Sequence, residues 1–195
     1  MRPAHSDSFI LASASPRRRE LLQRFDFPFA VMPSNVDEEL YAGLPGKELV
    51  LALAQAKARD VAQHAAGLIL AADTVVVCEG RLLGKPADRS AAAEMLSLLA
   101  GRGHEVYTGL ALLQTATQHL EMACERSEVY FRQIDTAELE RYLDCGEYSD
   151  KAGAYAAQGR AAAFITGVYG CYHNVIGLPL HCLDNLLRAF GFSLL

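Results

Sequence analysis

The run Leu68 to Cys78, LILAADTVVVC, constrains this chain more than any other stretch: it is apolar throughout apart from Asp73 and Thr74. A nearly continuous run rich in Leu, Ile and Val predicts a strand buried on both faces, and such a strand needs helices over the sheet that holds it. It is too short, and too clearly broken by Asp73, to span a bilayer. Glu79-Gly80 follows it as a hairpin turn. The flanking sequence alternates in kind. Strands are predicted at 8–12, 29–32, 105–114, 121–132 and 163–168. Helices are predicted from Pro16 with Ser15 as N-cap and Leu21, Leu22 and Phe25 inward, at 47–65, from Ser90 as cap through Leu99, at 136–143, and at 178–190 after Gly177. Alternation without a break in composition predicts an α/β fold, a mixed twisted sheet flanked by helices. The 195 residues suit one domain over 1–195, single- or two-lobed.

The formal charge of −5 argues against non-specific binding to a nucleic-acid backbone, which needs a basic surface, but leaves room for a small anion in a local basic pocket. Five dispersed cysteines without a CxxC pair fit reduced thiols, and the polar start at 1–7 lacks the apolar core of a signal peptide. A soluble cytoplasmic protein with no membrane partner is expected. No GxSxG elbow, HExxH helix or cysteine–histidine cluster with zinc spacing is present.

Five places could carry chemistry. In Ser13-Ala14-Ser15-Pro16-Arg17-Arg18-Arg19 a strand runs into a helix start, where unsatisfied N–H groups and the positive dipole end attract anions. Three arginines there oppose the dipole unless a phosphate offsets them, and with about 100° between successive residues two of the three can face one site. A solvated basic helix start balanced by Glu20 is the alternative, and spacing does not separate the two. Asp73, inside an apolar strand, must be paired or shifted in pKa, which points to a functional site or to a structural ion pair. Lys57 continues the row Leu49, Leu53, Lys57, Val61 on the apolar face of its helix, so it snorkels to water or meets a buried anion. Gly84-Lys85-Pro86 is a loop that fails as a Walker A motif, because Pro86 stands where a Ser or Thr is needed. Finally, in Asp150 to Gly159 the glycines allow close backbone approach. Gln158 there offers the donor and acceptor that would read a uracil or thymine edge, although a tight surface loop fits the pattern equally.

Read together, 12–22, 34–38, 72–76, 84–86, 150–155, 158–159 and 174–180 resemble, in order, the motifs of the Maf family of nucleotide pyrophosphatases, over nearly the whole chain. The resemblance implies a Ham1-like (ITPase-like) α/β fold with a central cleft, commonly as a homodimer, and a divalent cation, Mg²⁺ or Mn²⁺. It implies Asp73 as proton acceptor, with Ser13, Arg18, Glu38, Lys57 and Lys85 lining the polar cleft. Lys85, Lys57 and Arg18 are then read as catalytic cations, Ser13, Ser15 and Arg18 as phosphate-binding, and Glu38 with Asp73 as candidate metal ligands, the sequence not separating base from ligand at Asp73. Arg17, Thr74 and Gln158 match the branch that cleaves dTTP and UTP rather than the one acting on methylated GTP. Cys171 departs from the aspartate frequent at that position. The implied reaction is attack of water on the α-phosphorus of a nucleoside triphosphate with release of pyrophosphate. A nucleotide-binding regulator of septum formation and an enzyme for modified pyrimidine nucleotides are the alternatives.

Overall fold

A computed structural model describes residues 8–25 and 28–195; the polar start at 1–7 lies outside them. Among the described residues the order is β1 (Phe9–Leu11), α1 (Pro16–Leu22), β2 (Ala30–Val31), α2 (Gly46–Ala62), β3 (Leu68–Cys78), β4 (Arg81–Leu83) and α3 (Arg89–Leu99). There follow β5 (Gly103–Gln114), β6 (His119–Phe131), α4 (Thr136–Asp144), β7 (Ile165–Tyr169), α5 (Tyr172–Val175) and α6 (Leu180–Ala189). The strands form one mixed sheet in the order β2-β1-β3-β5-β6-β7, with β4 paired to β3. The α/β expectation holds. The apolar run is a strand over its whole predicted length, because hydrophobic residues on both sides leave no solvent-facing alternative.

The chain divides into two compact units, and β3, β5 and β6 contribute to both. The first contains 1–73, 108–125 and 177–195. Within it β1 pairs in parallel with β2 and β3, in the register Leu11↔Val31 and Leu11↔Leu70. Ala12 N–H extends the ladder to Leu70 C=O at 2.7 Å, so the turn after β1 leaves the sheet beside the 71–73 stretch of β3. Ile10, Ala12, Ile69, Ala71, Ala111 and Leu113 pack against Ala54, Ala58 and Val61 of α2. Small residues bring this helix close. A Cβ on Gly109 of β5 would lie 2.4 Å from the Val50 carbonyl oxygen, so α2 rests directly on a bare backbone.

The second unit contains 74–107 and 126–176. There β3 turns back into β4 through Glu79 and Gly80, both at positive φ, as a two-residue hairpin requires. Its aromatic core joins His104, Phe131, Tyr142, Tyr155 and Phe164 edge to face or tilted. Asp135 and Glu138 close a capping box on α4.

Several predicted boundaries shift. The cap of α3 is Asp88, whose carboxylate accepts from Ala91 N–H at 2.8 Å, rather than Ser90. Helix α1 stops at Leu22, so Phe25 lies beyond it. The last helix begins at Leu180 because Pro179 takes the cap position, and the strand foreseen at 163–168 runs Ile165–Tyr169 after a 3₁₀ turn at Arg160–Phe164.

Candidate active site

In the first unit, three separate segments meet at the midpoint of β3. Asp73 is buried, as its place in the apolar run demands, and its Oδ1 accepts a hydrogen bond from Lys57 Nζ at 2.6 Å. The same ammonium lies 2.7 Å from Glu38 Oε1. The row Leu49, Leu53, Lys57, Val61 therefore reaches a buried anion, one of the two outcomes its position allowed: the other three are core residues. Glu38 opens a 3₁₀ turn capped by Asp37, and the loop before it is tied to α2 by Asn35 N–H donating to Asp60 Oδ2 at 2.8 Å. Short-range turn chemistry thus fixes the position of a half-exposed carboxylate.

Ser13 and Arg18 occupy the turn and helix start after β1. Ser15 precedes Pro16 in the N-cap position, but its side chain makes no cap bond; its N–H donates instead to Ser13 Oγ at 3.2 Å. Arg18 Nη1 donates to the same Oγ at 3.2 Å, and its Nε donates to the Gly177 carbonyl at 2.8 Å. The guanidinium is therefore held by two contacts, which a fork-shaped donor set can make at once. Arg17 and Arg18 are both half-buried and Arg19 is exposed, so two of the three arginines turn inward.

The electrostatics follow from burial. Asp73 is pushed above the ordinary carboxylate range chiefly by loss of hydration, with Lys57 and then Arg18 opposing the shift and Glu38 adding to it. Burial likewise lowers Arg18, and the charges of Asp73 and Glu38 partly restore it while Arg17 works against it. Ser13, Arg18, Glu38, Lys57 and Asp73 thus form one coupled set. Glu38 and Asp73 converge on the Lys57 ammonium, and their carboxylate oxygens are hard donors of the kind that suits Mg²⁺ or Mn²⁺.

In the second unit, Gly153 N–H donates to the Gly84 carbonyl at 3.0 Å, which joins the Gly84-Lys85-Pro86 loop to the stretch that starts at Asp150. Gly153 adopts φ 69°, where a side chain would be strained, and a Cβ there would come within 3.0 Å of the Val76 side chain. Lys151 pairs with Asp150, Lys85 and Gln158 are exposed, and Thr74 is half-buried on β3. Cys171 holds its turn through the backbone: its N–H donates to Ser127 Oγ and its carbonyl accepts from that hydroxyl, both at 3.0 Å. Asn174 Nδ2 donates to the same oxygen at 2.9 Å. The roles of Ser127 and of the Gly177 carbonyl were not foreseen, because a serine on a strand and a backbone oxygen carry no sequence signature.

A mixed α/β sheet bearing a buried carboxylate, two half-buried cations and a strand-to-helix anion turn defines a protein built to handle an anionic, oxygen-rich ligand. The chain belongs to the Maf-like protein family, whose model matches residues 8–190. It is similar to a dTTP/UTP pyrophosphatase of Pelotomaculum thermopropionicum, 50% identical over 187 residues, which covers 95% of this chain and 98% of that protein. It is 51% identical to a dTTP/UTP pyrophosphatase of Moorella thermoacetica over 93% of this chain and 94% of that one. In fold it resembles a HAM1 protein from Coxiella burnetii, with a TM-score of 0.52 at 15% identity over 94% of this chain and 99% of that chain. Among the described residues no helix is long and apolar enough to cross a membrane, and none of the five cysteines is disulfide-bonded.

Proposed function

We propose that this chain is a nucleoside triphosphate pyrophosphatase that hydrolyses dTTP and UTP to the monophosphate and pyrophosphate. The observation that carries the reading is Asp73: a carboxylate buried in β3, raised in pKa and kept beside Lys57 at 2.6 Å. A raised carboxylate is a stronger base than a solvated one, and the adjacent ammonium keeps it ionised and ready to take a proton.

Water attacks the α-phosphorus, Asp73 takes its proton, and the bond to the bridging oxygen breaks as pyrophosphate leaves. Arg18 and Lys57 face the negative charge that builds on the phosphoryl oxygens, in a partly dehydrated site where charge counts for more than in water. Ser13 orients Arg18 through the 3.2 Å contact. Glu38 and Asp73 would hold a divalent ion, which when bound lowers the pKa of its water and offsets charge on the phosphates. Lys85 is assigned to the phosphates and Arg17, Thr74 and Gln158 to base selection on the strength of the family motifs they match.

Incubation with a nucleotide panel and Mg²⁺, scored for pyrophosphate against orthophosphate, tests the reading. Pyrophosphate from dTTP and UTP is expected. Binding without turnover would favour a regulator, and orthophosphate alone would mean that another bond is cut. Asp73→Asn should lower kcat by about 10²–10⁴-fold with an unchanged circular dichroism spectrum; near-native turnover refutes the role. Gln158→Glu puts a charged acceptor where a donor is proposed and should cost about tenfold or more in kcat/KM for dTTP; an unchanged value refutes base reading by Gln158.

A further inference from the structure

We propose that Glu125, His181 and Cys182 form a second metal site, selective for a borderline-soft divalent ion of the Zn²⁺ class. All three belong to the first unit, with Glu125 on β6 and the other two in the first turn of α6. Cys182 Sγ lies 3.1 Å from Glu125 Oε2 and 3.3 Å from His181 Nε2, and that nitrogen is 3.3 Å from the same carboxylate oxygen. Three donor atoms therefore stand at the corners of a nearly equilateral triangle.

Two arrangements of Cys, His and Glu have to be told apart. In a proton relay the carboxylate binds the imidazole nitrogen opposite the one that faces the sulfur. Here sulfur and carboxylate meet the same nitrogen, so the set converges on a point instead of passing a proton along a line. Ligand bonds of about 2.0–2.3 Å to such a triangle place an ion roughly 1 Å out of its plane. The His181 side chain is 58% exposed, which leaves the remaining coordination to water. One sulfur, one nitrogen and one oxygen suit Zn²⁺ and disfavour Mg²⁺, which prefers oxygen throughout. Binding requires the thiolate, so the Cys182 proton passes to solvent as the metal–sulfur bond forms.

This site is separate from the carboxylate pair around Lys57. It shares no residue with that pair, and its donors come from β6 and α6 rather than from α2 and β3.

The test uses the full chain, stripped of metal and titrated with Zn²⁺ against a chromophoric chelator, with Co²⁺ as a spectroscopic probe. One Zn²⁺ per chain is expected, with a sulfur-to-metal charge-transfer band in the Co²⁺ form. Cys182→Ser and His181→Ala should each weaken uptake by roughly 100-fold or more and the former should remove the band. Cys124→Ser and Glu38→Gln should leave both intact. Because His181 is exposed, its variant keeps the test open if Cys182→Ser fails to fold. Unchanged uptake in either folded variant, absence of the band in the parent chain, or loss of uptake in Glu38→Gln alone overturns the proposal.

Discussion

Replacing Lys57 by methionine removes a charge while nearly preserving volume, and the structure sets the size of the effect. The ammonium lies 2.6 Å from Asp73 and 2.7 Å from Glu38, and the Lys57 and Asp73 side chains are only 12% and 11% exposed. Stripping the partner from a buried pair costs about 3–5 kcal/mol when the remaining charge has no other relief. Asp73 keeps the favourable field of Arg18 and Glu38 reaches solvent, so the expected loss at pH 8 is about 2–3 kcal/mol in urea unfolding. The pH dependence is diagnostic. Burial already holds the folded-state pKa of Asp73 above its ordinary value, and loss of Lys57, the main opposing influence, raises it further. A carboxyl raised in this way costs stability as pH climbs from its unfolded value through its folded one. The penalty relative to the parent chain should therefore be small near pH 4 and complete by pH 8. Adding Asp73→Asn to Lys57→Met should recover more than half of it. A penalty below about 0.5 kcal/mol at pH 8, or one equal at both pH values, would refute the reasoning.

Two further predictions concern the scaffold. Gly109→Ala would put a methyl 2.4 Å from the Val50 carbonyl oxygen, and since both partners are backbone the strain cannot relax into a side chain. A loss of about 2–3 kcal/mol is expected, with kcat reduced because α2 carries Lys57; a melting temperature within a degree or so of the parent would exclude the close approach. His104 is buried against Phe131 and Tyr155 and burial lowers its pKa from 6.5 to about 4, so the unfolded chain binds the extra proton first as pH falls. Stability should decline from pH 6.5 towards 4 by about 3 kcal/mol on account of this residue, and His104→Gln should flatten that part of the profile. An unchanged slope in the variant would assign the decline to other groups.

What was legible in the chain depended on how far each signal reached. The run around Asp73 specified both a buried strand and a charge in need of a partner, since burial and carboxylate chemistry are written in the same few residues. Lys57 announced itself by breaking the apolar row of its own helix. Their pairing was not legible: 16 residues separate them, and nothing in a periodicity says which buried cation meets which buried anion. Caps were misplaced for a related reason. Asp88 and Ser90 are both good N-cap residues, and it is the Asp88 carboxylate that accepts from the Ala91 N–H. Ser127 shows the limit most plainly, because its hydroxyl serves Cys171 and Asn174, whose positions depend on a turn more than 40 residues away.

The charge pattern of the site bears on why a divalent ion belongs to the reading. Arg18 and Lys57 bring two positive charges, and Glu38 and Asp73 bring two negative ones, so these four balance, with Arg17 adding a further positive charge in the field of Arg18. That balance is what lets four ionised groups tolerate partial burial. A triphosphate adds about four negative charges and competes with both carboxylates for the same two cations. If Lys57 swung to phosphate with nothing in its place, Asp73 would lose its chief stabilising charge, take up a proton and cease to act as a base. Glu38 and Asp73 would hold a divalent ion under the proposed reading, and the charge it would supply would offset the incoming phosphates and help to keep Asp73 ionised. On the proposed reading, the features that make Asp73 costly to bury would be the ones that couple its basicity to the arrival of nucleotide and metal together.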